Sequence, residues 1–565
     1  MVLIYTILLA GLVSSKCFEP TTAHPQPVYD VHDSLLEDAF AYIDTALKAA
    51  VGRPEYAHTS FSVEVTSSKE SLWSLHHTAR LRNFSRPDVA EVNGDALYRI
   101  ASITKTFTVL GILQQHEAGN LSLDDTVNKY IKELPEKSEG GIPWHDITLR
   151  SLASQLSGIP REFAQGDLIN EPLDPVSVGL PPMTREGLPK CDEYSPNYNT
   201  PCTAKDLLHD ISSKPPLFAP NQKSTYSNVA FNLLGLVLSR VTNQTYETYI
   251  TNAIFAPLNM SKSTLSLPPD SAGVIPTNPH YWDVDAGIQN PTGGIYSSST
   301  DLSAYLRYIL THFNALTHAV NWIHPVSPSR GLNSFYGLPW EVFQTDRILA
   351  ASQRTVQFVT KGGGLPGYTS IIMTIPEYDL GLTILVAGPS GIFNTIRETV
   401  TVALVRAAEA IAIRQLEERY AGTYTSGDVS LNSSITLVAD SRGLVISSLI
   451  SNGTDLFTTE LARSGTPEKW YAALVPTLLF HDSEKQRGEE WRFVVAEERG
   501  AAAGAVWDDF CLEDLDGPIY AGVPLNEVIF WGDGKVELPG FRITLSREEK
   551  GGQRSREEEH EILEL

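Results

Sequence analysis

A chain of 565 residues with 42% apolar and 19% charged side chains has globular composition and length for more than one packed core, which excludes a disordered or fibrous protein. Its 43 Lys and Arg against 67 Asp and Glu leave a formal charge of −24, and so negative a surface repels phosphate backbones and argues against a nucleic-acid partner. The four cysteines, Cys17, Cys191, Cys202 and Cys511, are too few and too scattered for a disulfide miniprotein or a paired Cys-x-x-Cys zinc site, and no metal or cofactor is called for.

In chain order, Val2 to Val13 reads VLIYTILLAGLV and is followed by Ser14 and Ser15, which predicts a secretory signal over residues 1–15. The run is too short to span a bilayer, and no later run is long enough for a membrane helix. Sequons at Asn83, Asn120, Asn243, Asn259, Asn432 and Asn452 suit a glycosylated, secreted protein. In an oxidising compartment Cys191 and Cys202 are expected to close a short disulfide loop, which leaves Cys17 and Cys511 as a pair by elimination.

Residues 33 to 51 show helical spacing and end at a glycine, and Phe61 to Val65 alternates like a strand. A helix is predicted from Ser102 to Ala118, stopped by Gly119. Eleven prolines between Pro160 and Pro220 mark a long ordered excursion with a short helix at Ala204 to Ile211, of the kind that roofs a site. Helices at Ser227 to Val241 and Asp301 to Leu310, strands at Thr369 to Thr374 and Leu382 to Val386, and a long helix at Ile392 to Glu418 complete a mixed α and β domain predicted over 28–418. From Tyr420 onward short alternating segments predict an antiparallel β domain over 419–545, followed by a charged, solvated tail over 546–565.

The chemistry concentrates in three places. In ASITKTFTVLGIL (101–113) Lys105 is the only charge, on a helix apolar on nearly every face. An ammonium there must lose its proton or find a partner, and desolvation lowers a lysine toward the range of a useful base. Ser102 lies one turn earlier on the same face, where its hydroxyl feels the positive helix end and its N–H is free for an oxyanion. It is the only Ser-x-x-Lys in the chain. Tyr226-Ser227-Asn228 then presents a phenol and an amide where an apolar helix opens. Lys361-Gly362-Gly363-Gly364 places a cation beside three glycines that let a substrate approach the backbone closely.

Ser-x-x-Lys, Tyr-x-Asn and Lys-Gly-Gly, in that order, resemble the serine β-lactamase and penicillin-binding-protein superfamily, most closely its class C, DD-peptidase and esterase branch. LYRIASITKTFT, GNLSLDDTV, ITLRSLASQLSGIP, YSNVAFNLLG, GGIYSSSTDL and KGGGLPGYTS look like this family's segments, over about residues 35 to 410. The part beginning YAGTY is similar to the lipocalin-like domain of some fungal secreted β-lactamase-like proteins. The resemblance implies an α/β (α+β) fold, an antiparallel sheet flanked by helices with an all-helical subdomain, followed by a β-barrel-like domain. It implies that Ser102 is acylated by a small ester, amide or peptide, and that Lys105 and Tyr226 share the proton work, with the choice of base left open. Asn228 would orient Lys105 and a substrate amide, Lys361 would hold Tyr226 in a positive field, and the N–H groups of Ser102 and Gly364, beside Gly363, would bind the oxyanion. The alternatives on this scaffold are an acyltransferase and a binding protein without turnover. Gly362 stands where penicillin-recognising enzymes usually carry a hydroxyl, which removes a donor to a β-lactam or D-Ala carboxylate and argues against antibiotic hydrolysis. Ser154-Gln155-Leu156-Ser157-Gly158 replaces the family's Ser-His-Thr-Ser-Gly.

Overall fold

The structure is a computed structural model that describes residues 23–135, 141–163, 167–170, 173–186, 188, 191, 200–277, 279, 281–312, 322–459, 470–497, 515 and 517–548. The expected signal, the Cys17 and Cys511 pair and most of the expected tail lie outside these residues. The chain divides into two units, one of Asp38–Thr345 with Val356–Ala403, the other of Met1–Glu37, Asp346–Thr355 and Leu404–Leu565.

The first unit is built on eight antiparallel strands: β1 (Ser60–Thr66), β2 (Ser71–His77), β3 (Ser327–Pro328), β4 (Ser334–Tyr336), β5 (Glu341–Thr345), β6 (Val356–Leu365), β7 (Tyr368–Ile375) and β8 (Leu380–Ala387). Their order across the sheet is β2-β1-β8-β7-β6-β5-β4-β3. Every residue of β1 and β8 is buried, so helices must cover both faces of the sheet. On the apolar face of SFSVEVT, Val65 pairs with Trp73, whose ring stacks at 5.5 Å on Phe40 of α1 (Ser34–Val51). On the opposite face Thr66 accepts a hydrogen bond from Arg307, and Gly381 meets Leu306.

The remaining helices of this unit are α2 (Thr104–Glu117), α3 (Leu149–Ala153), α4 (Ala204–Ile211), α5 (Asn228–Thr242), α6 (Tyr246–Ile250), α7 (Asn290–Gly293) and α8 (Ser299–His312), which supplies Leu306 and Arg307. α2 is buried without a break from Thr104 to Leu113 and stops, as its sequence predicts, at Gly119 with φ 72°. It begins two residues later than expected. Ser102 lies on a 3-10 turn, Ala101–Ile103, entered through Ala101 at φ 49°, where a residue with a Cβ is strained. Helices α5 and α7 touch closely because position 235 is glycine: a Cβ there would stand 2.0 Å from Pro291 Cγ. The excursion contains α4 as expected, capped reciprocally by Thr203 and Asp206, and the disulfide Cys191–Cys202. Among the described residues no helix is long and apolar enough to cross a membrane.

The unit division falls inside α9 (Ile392–Arg419), between Ala403 and Leu404. In the second unit, β9 (Gly422–Thr425), β10 (Ser434–Asp440), β11 (Gly443–Ser451), β12 (Trp470–Asp482), β13 (Arg487–Glu497), β14 (Glu527–Trp531), β15 (Lys535–Leu538) and β16 (Ile543–Arg547) pair antiparallel in chain order. Pairing of Tyr424 with Arg547 closes β16 onto β9, so the eight strands form an up-and-down barrel. One alternate set of side chains gathers in a single buried cluster, including Ile435, Leu437, Leu444, Ile446, Ala472, Leu474, Val528, Phe530, Val536, Leu538 and Leu545. Trp491 packs among them at 5.0 Å from Tyr420 and 5.5 Å from Phe530.

Candidate active site

The position of Ser102 follows from three anchors. The turn Ala101–Ile103 starts α2, Ser370 Oγ on β7 donates to the Ile100 carbonyl at 2.9 Å, and β6 lies against the turn at Gly363. A Cβ at Gly363 would stand 2.2 Å from the Ile100 oxygen and 3.1 Å from the Ser102 nitrogen, so only glycine lets the strand come this near. Beyond Gly364 the corresponding space is open. The flanking strand β5 ends where Glu341 pairs with Thr360, so Lys361 to Gly364 run past it as a local strand edge.

Lys105 is wholly buried and its ammonium donates to Ser102 Oγ and to the Thr292 carbonyl, both at 2.9 Å. When the amine is neutral the first contact reverses, with the hydroxyl donating to Nζ. Burial pushes Lys105 down to about 8, helped by Lys361 and opposed by Tyr226. The Thr292 carbonyl is there because Gly235 admits α7 against α5. The Thr292 hydroxyl is tied to Asn232 and, at 3.2 Å, to the Asn228 carbonyl.

Tyr226 sits on an extended stretch clamped from both sides by one residue: Thr225 N–H donates to the Gln155 carbonyl at 2.8 Å, and Ser227 N–H to Gln155 Oε1 at 2.7 Å. Ser227 caps α5 through the Ala230 N–H and itself donates to the Pro160 carbonyl. The replacement at position 155 thus puts a side-chain acceptor one residue from the phenol's backbone. Three cations surround the Tyr226 ring: Arg161 at 4.7 Å, Lys105 at 5.2 Å and Lys361 at 5.3 Å from its centroid. Burial raises the phenol, but Lys105 and Lys361 outweigh it with help from Ser102, and the net displacement is downward.

Lys361 is buried, which by itself lowers an ammonium. Glu341 and Tyr226 more than reverse that, and its pKa lies above the ordinary value. Its Nζ donates to Glu341 Oε1 at 2.7 Å. The Asn228 side-chain amide donates to Glu162, so here the second acceptor on Lys105 is the Thr292 carbonyl. Burial raises the Glu162 carboxyl, opposed by Asn228, Arg161 and Lys105.

The structure therefore brings Ser102, Lys105, Tyr226, Lys361, Asn228, Gly363 and Gly364 into one neighbourhood. Asn120, Asn243, Asn259, Asn432 and Asn452 are exposed and Asn83 is half-buried. Sequence reasoning missed Glu162, Thr292, Glu341 and Ser370 as members of the site and read Gln155 only as a departure. Each acts from a distant segment, and Thr292 acts through its main chain.

An antiparallel sheet covered by helices, a helical layer carrying Ser-x-x-Lys, and a C-terminal barrel define a β-lactamase-type fold. The profile described as Beta-lactamase matches residues 55–407, and that described as Beta-lactamase-like-like, C-terminal domain, matches residues 412–549. The chain belongs to the β-lactamase family. It is 32% identical to "Probable hydrolase M10" of a Phoma species over 96% of this chain and 93% of that one. It is 32% identical to "Probable hydrolase clz13" of Cochliobolus lunatus over 97% and 94%. The solved structure of a class C β-lactamase mutant aligns at 17% identity and a TM-score of 0.48 over 67% of this chain and 99% of that one.

Proposed function

We propose that the protein is a secreted serine hydrolase that cleaves an ester, amide or peptide bond of a small substrate through an acyl-enzyme at Ser102. The supporting observation is the cluster itself: a hydroxyl 2.9 Å from a buried amine whose pKa lies near 8, beside a phenol ringed by three cations. Ser102 Oγ bonds to the substrate carbonyl carbon while its proton passes to the Lys105 and Tyr226 pair, and the oxyanion meets the N–H groups of Ser102 and Gly364. The carbonyl re-forms as the bond to the leaving group breaks, and the leaving group takes the proton. Water, deprotonated by the same pair, then attacks the ester carbonyl and releases Ser102 with its proton restored. Which of Lys105 and Tyr226 first receives the proton is a property of the coupled pair.

Intact-mass measurement with an activated acyl probe tests this reading. One acyl adduct is expected on the wild type and none on Ser102→Ala; an adduct that survives the substitution, or its absence from the wild type, would refute it.

A further inference from the structure

The acyl donor's chemistry is narrowed by how the pocket's charges are already paired. Glu341 holds Lys361 Nζ on Oε1 at 2.7 Å and the Gly362 N–H on Oε2 at 3.0 Å. A carboxylate between an ammonium and a main-chain N–H is what a carboxylate ligand would form there, so this chain has filled that seat itself. The local fold explains why. Strand β5 ends at Glu341, the Gly362 N–H lies beyond its reach, and the side chain folds around the strand end to satisfy it. Gly362 leaves the room: a Cβ there would stand 3.4 Å from Glu341 Oε2, and any further atom would compete for the space. Lys361 is buried while Glu341 is about a third exposed, so the carboxylate stands on the solvent side of the seat. Arg161 is paired with Glu162 at 3.2 Å. Glu162 Oε2 and Asn228 Oδ1 are buried acceptors with no hydrogen-bond partner among the described residues.

We infer that Glu341 determines specificity: it keeps the anion seat on Lys361 and Gly362 occupied, so the site takes neutral or cationic acyl donors and rejects those bearing a carboxylate. This rests on the reading of Ser102 as the acylated nucleophile.

The test uses the full chain and three p-nitrophenyl esters of matched length: hexanoate, the adipate monoester, and the same chain ending in trimethylammonium. The wild type is expected to favour the neutral and cationic esters over the anionic one by about tenfold or more in kcat/KM, since a substrate carboxylate would be set against Glu341's like charge. In Glu341→Gln that ratio should contract by about tenfold through a lower KM for the adipate ester. Glu341→Asp, too short to span both donors, should give an intermediate ratio and keeps the test available should the glutamine variant not fold. An unchanged ratio in either folded variant, or a wild-type preference for the adipate ester, overturns the inference. An equal fall of kcat on all three esters also overturns it, because Glu341 would then only position Lys361. If no ester is turned over and none acylates Ser102, the reading of the nucleophile fails first and this inference falls with it.

Discussion

The pocket around Ser102 and the interior of the C-terminal barrel are both buried, and they are filled on opposite principles. The buried cluster described inside the barrel is apolar and aromatic, and its rings pack edge to face around Trp491. The pocket instead retains two buried ammonium groups, a phenol between them, two carboxylates and several polar atoms without partners among the described residues. Charges left in an apolar environment are costly and persist where chemistry requires displaced pKa values. Under the proposed function, reactivity belongs to the first region and packing to the second.

The sharpest way to break this contrast is to remove charge from one region and volume from the other. Ser102→Ala and Lys105→Met should each lower turnover of an activated ester by about a thousandfold or more, as removal of a nucleophile or its base does elsewhere. Tyr226→Phe keeps the ring and the cations' packing and should cost roughly a hundredfold, read as kcat in the same assay. Gly363→Ala tests the strand's close approach: its Cβ would press on the Ile100 oxygen and the Ser102 nitrogen, and about a hundredfold loss of kcat is expected with a destabilisation of about 1–3 kcal/mol. Trp491→Ala should do the reverse. It should cost about 3–5 kcal/mol in denaturant unfolding while leaving kcat of the folded enzyme unchanged. Equal effects of Trp491→Ala and Lys105→Met on kcat would abolish the distinction between the two regions.

The parts legible in the sequence were those carried by local contrast. Lys105 stands out because nothing else in its helix is charged, and α4, α9 and the barrel strands show in periodicity and texture. Glu341 and Glu162 could not be found this way. Each is an ordinary acidic residue in its own segment, and each matters only because of a strand end or a helix start brought to it from elsewhere in the chain. The Thr292 carbonyl leaves no side-chain trace at all. The 3-10 entry to α2 was missed because apolar spacing runs on through Ala101, and only its positive φ marks the break. Barrel closure was expected only through the family resemblance, since alternation predicts strands but not that the last one pairs with the first.

The smallest effect is also the most direct on the cost of keeping a charge in the pocket. Lys105 has a folded pKa of about 8 against an ordinary 10.5, so the folded protein binds fewer protons than the unfolded chain between those values. The sign follows: stability rises with pH across that window, and the penalty is complete below about pH 8 and gone above about 10.5. A gap of that size corresponds to about 3 kcal/mol, at about 1.36 kcal/mol per pH unit. Lys361, displaced upward, contributes stability that is lost only above its ordinary value and so stays constant in this window. Lys105→Met carries no such penalty. It should melt above the wild type at about pH 7 by about four degrees, given the size of the unit, and the gap should close as the pH approaches about 10. Scanning calorimetry on both proteins at several pH values reads the gap directly. A gap that is constant with pH would mean that Lys105 titrates alike in the folded and unfolded chains, and the pocket would then differ from the barrel core only in shape.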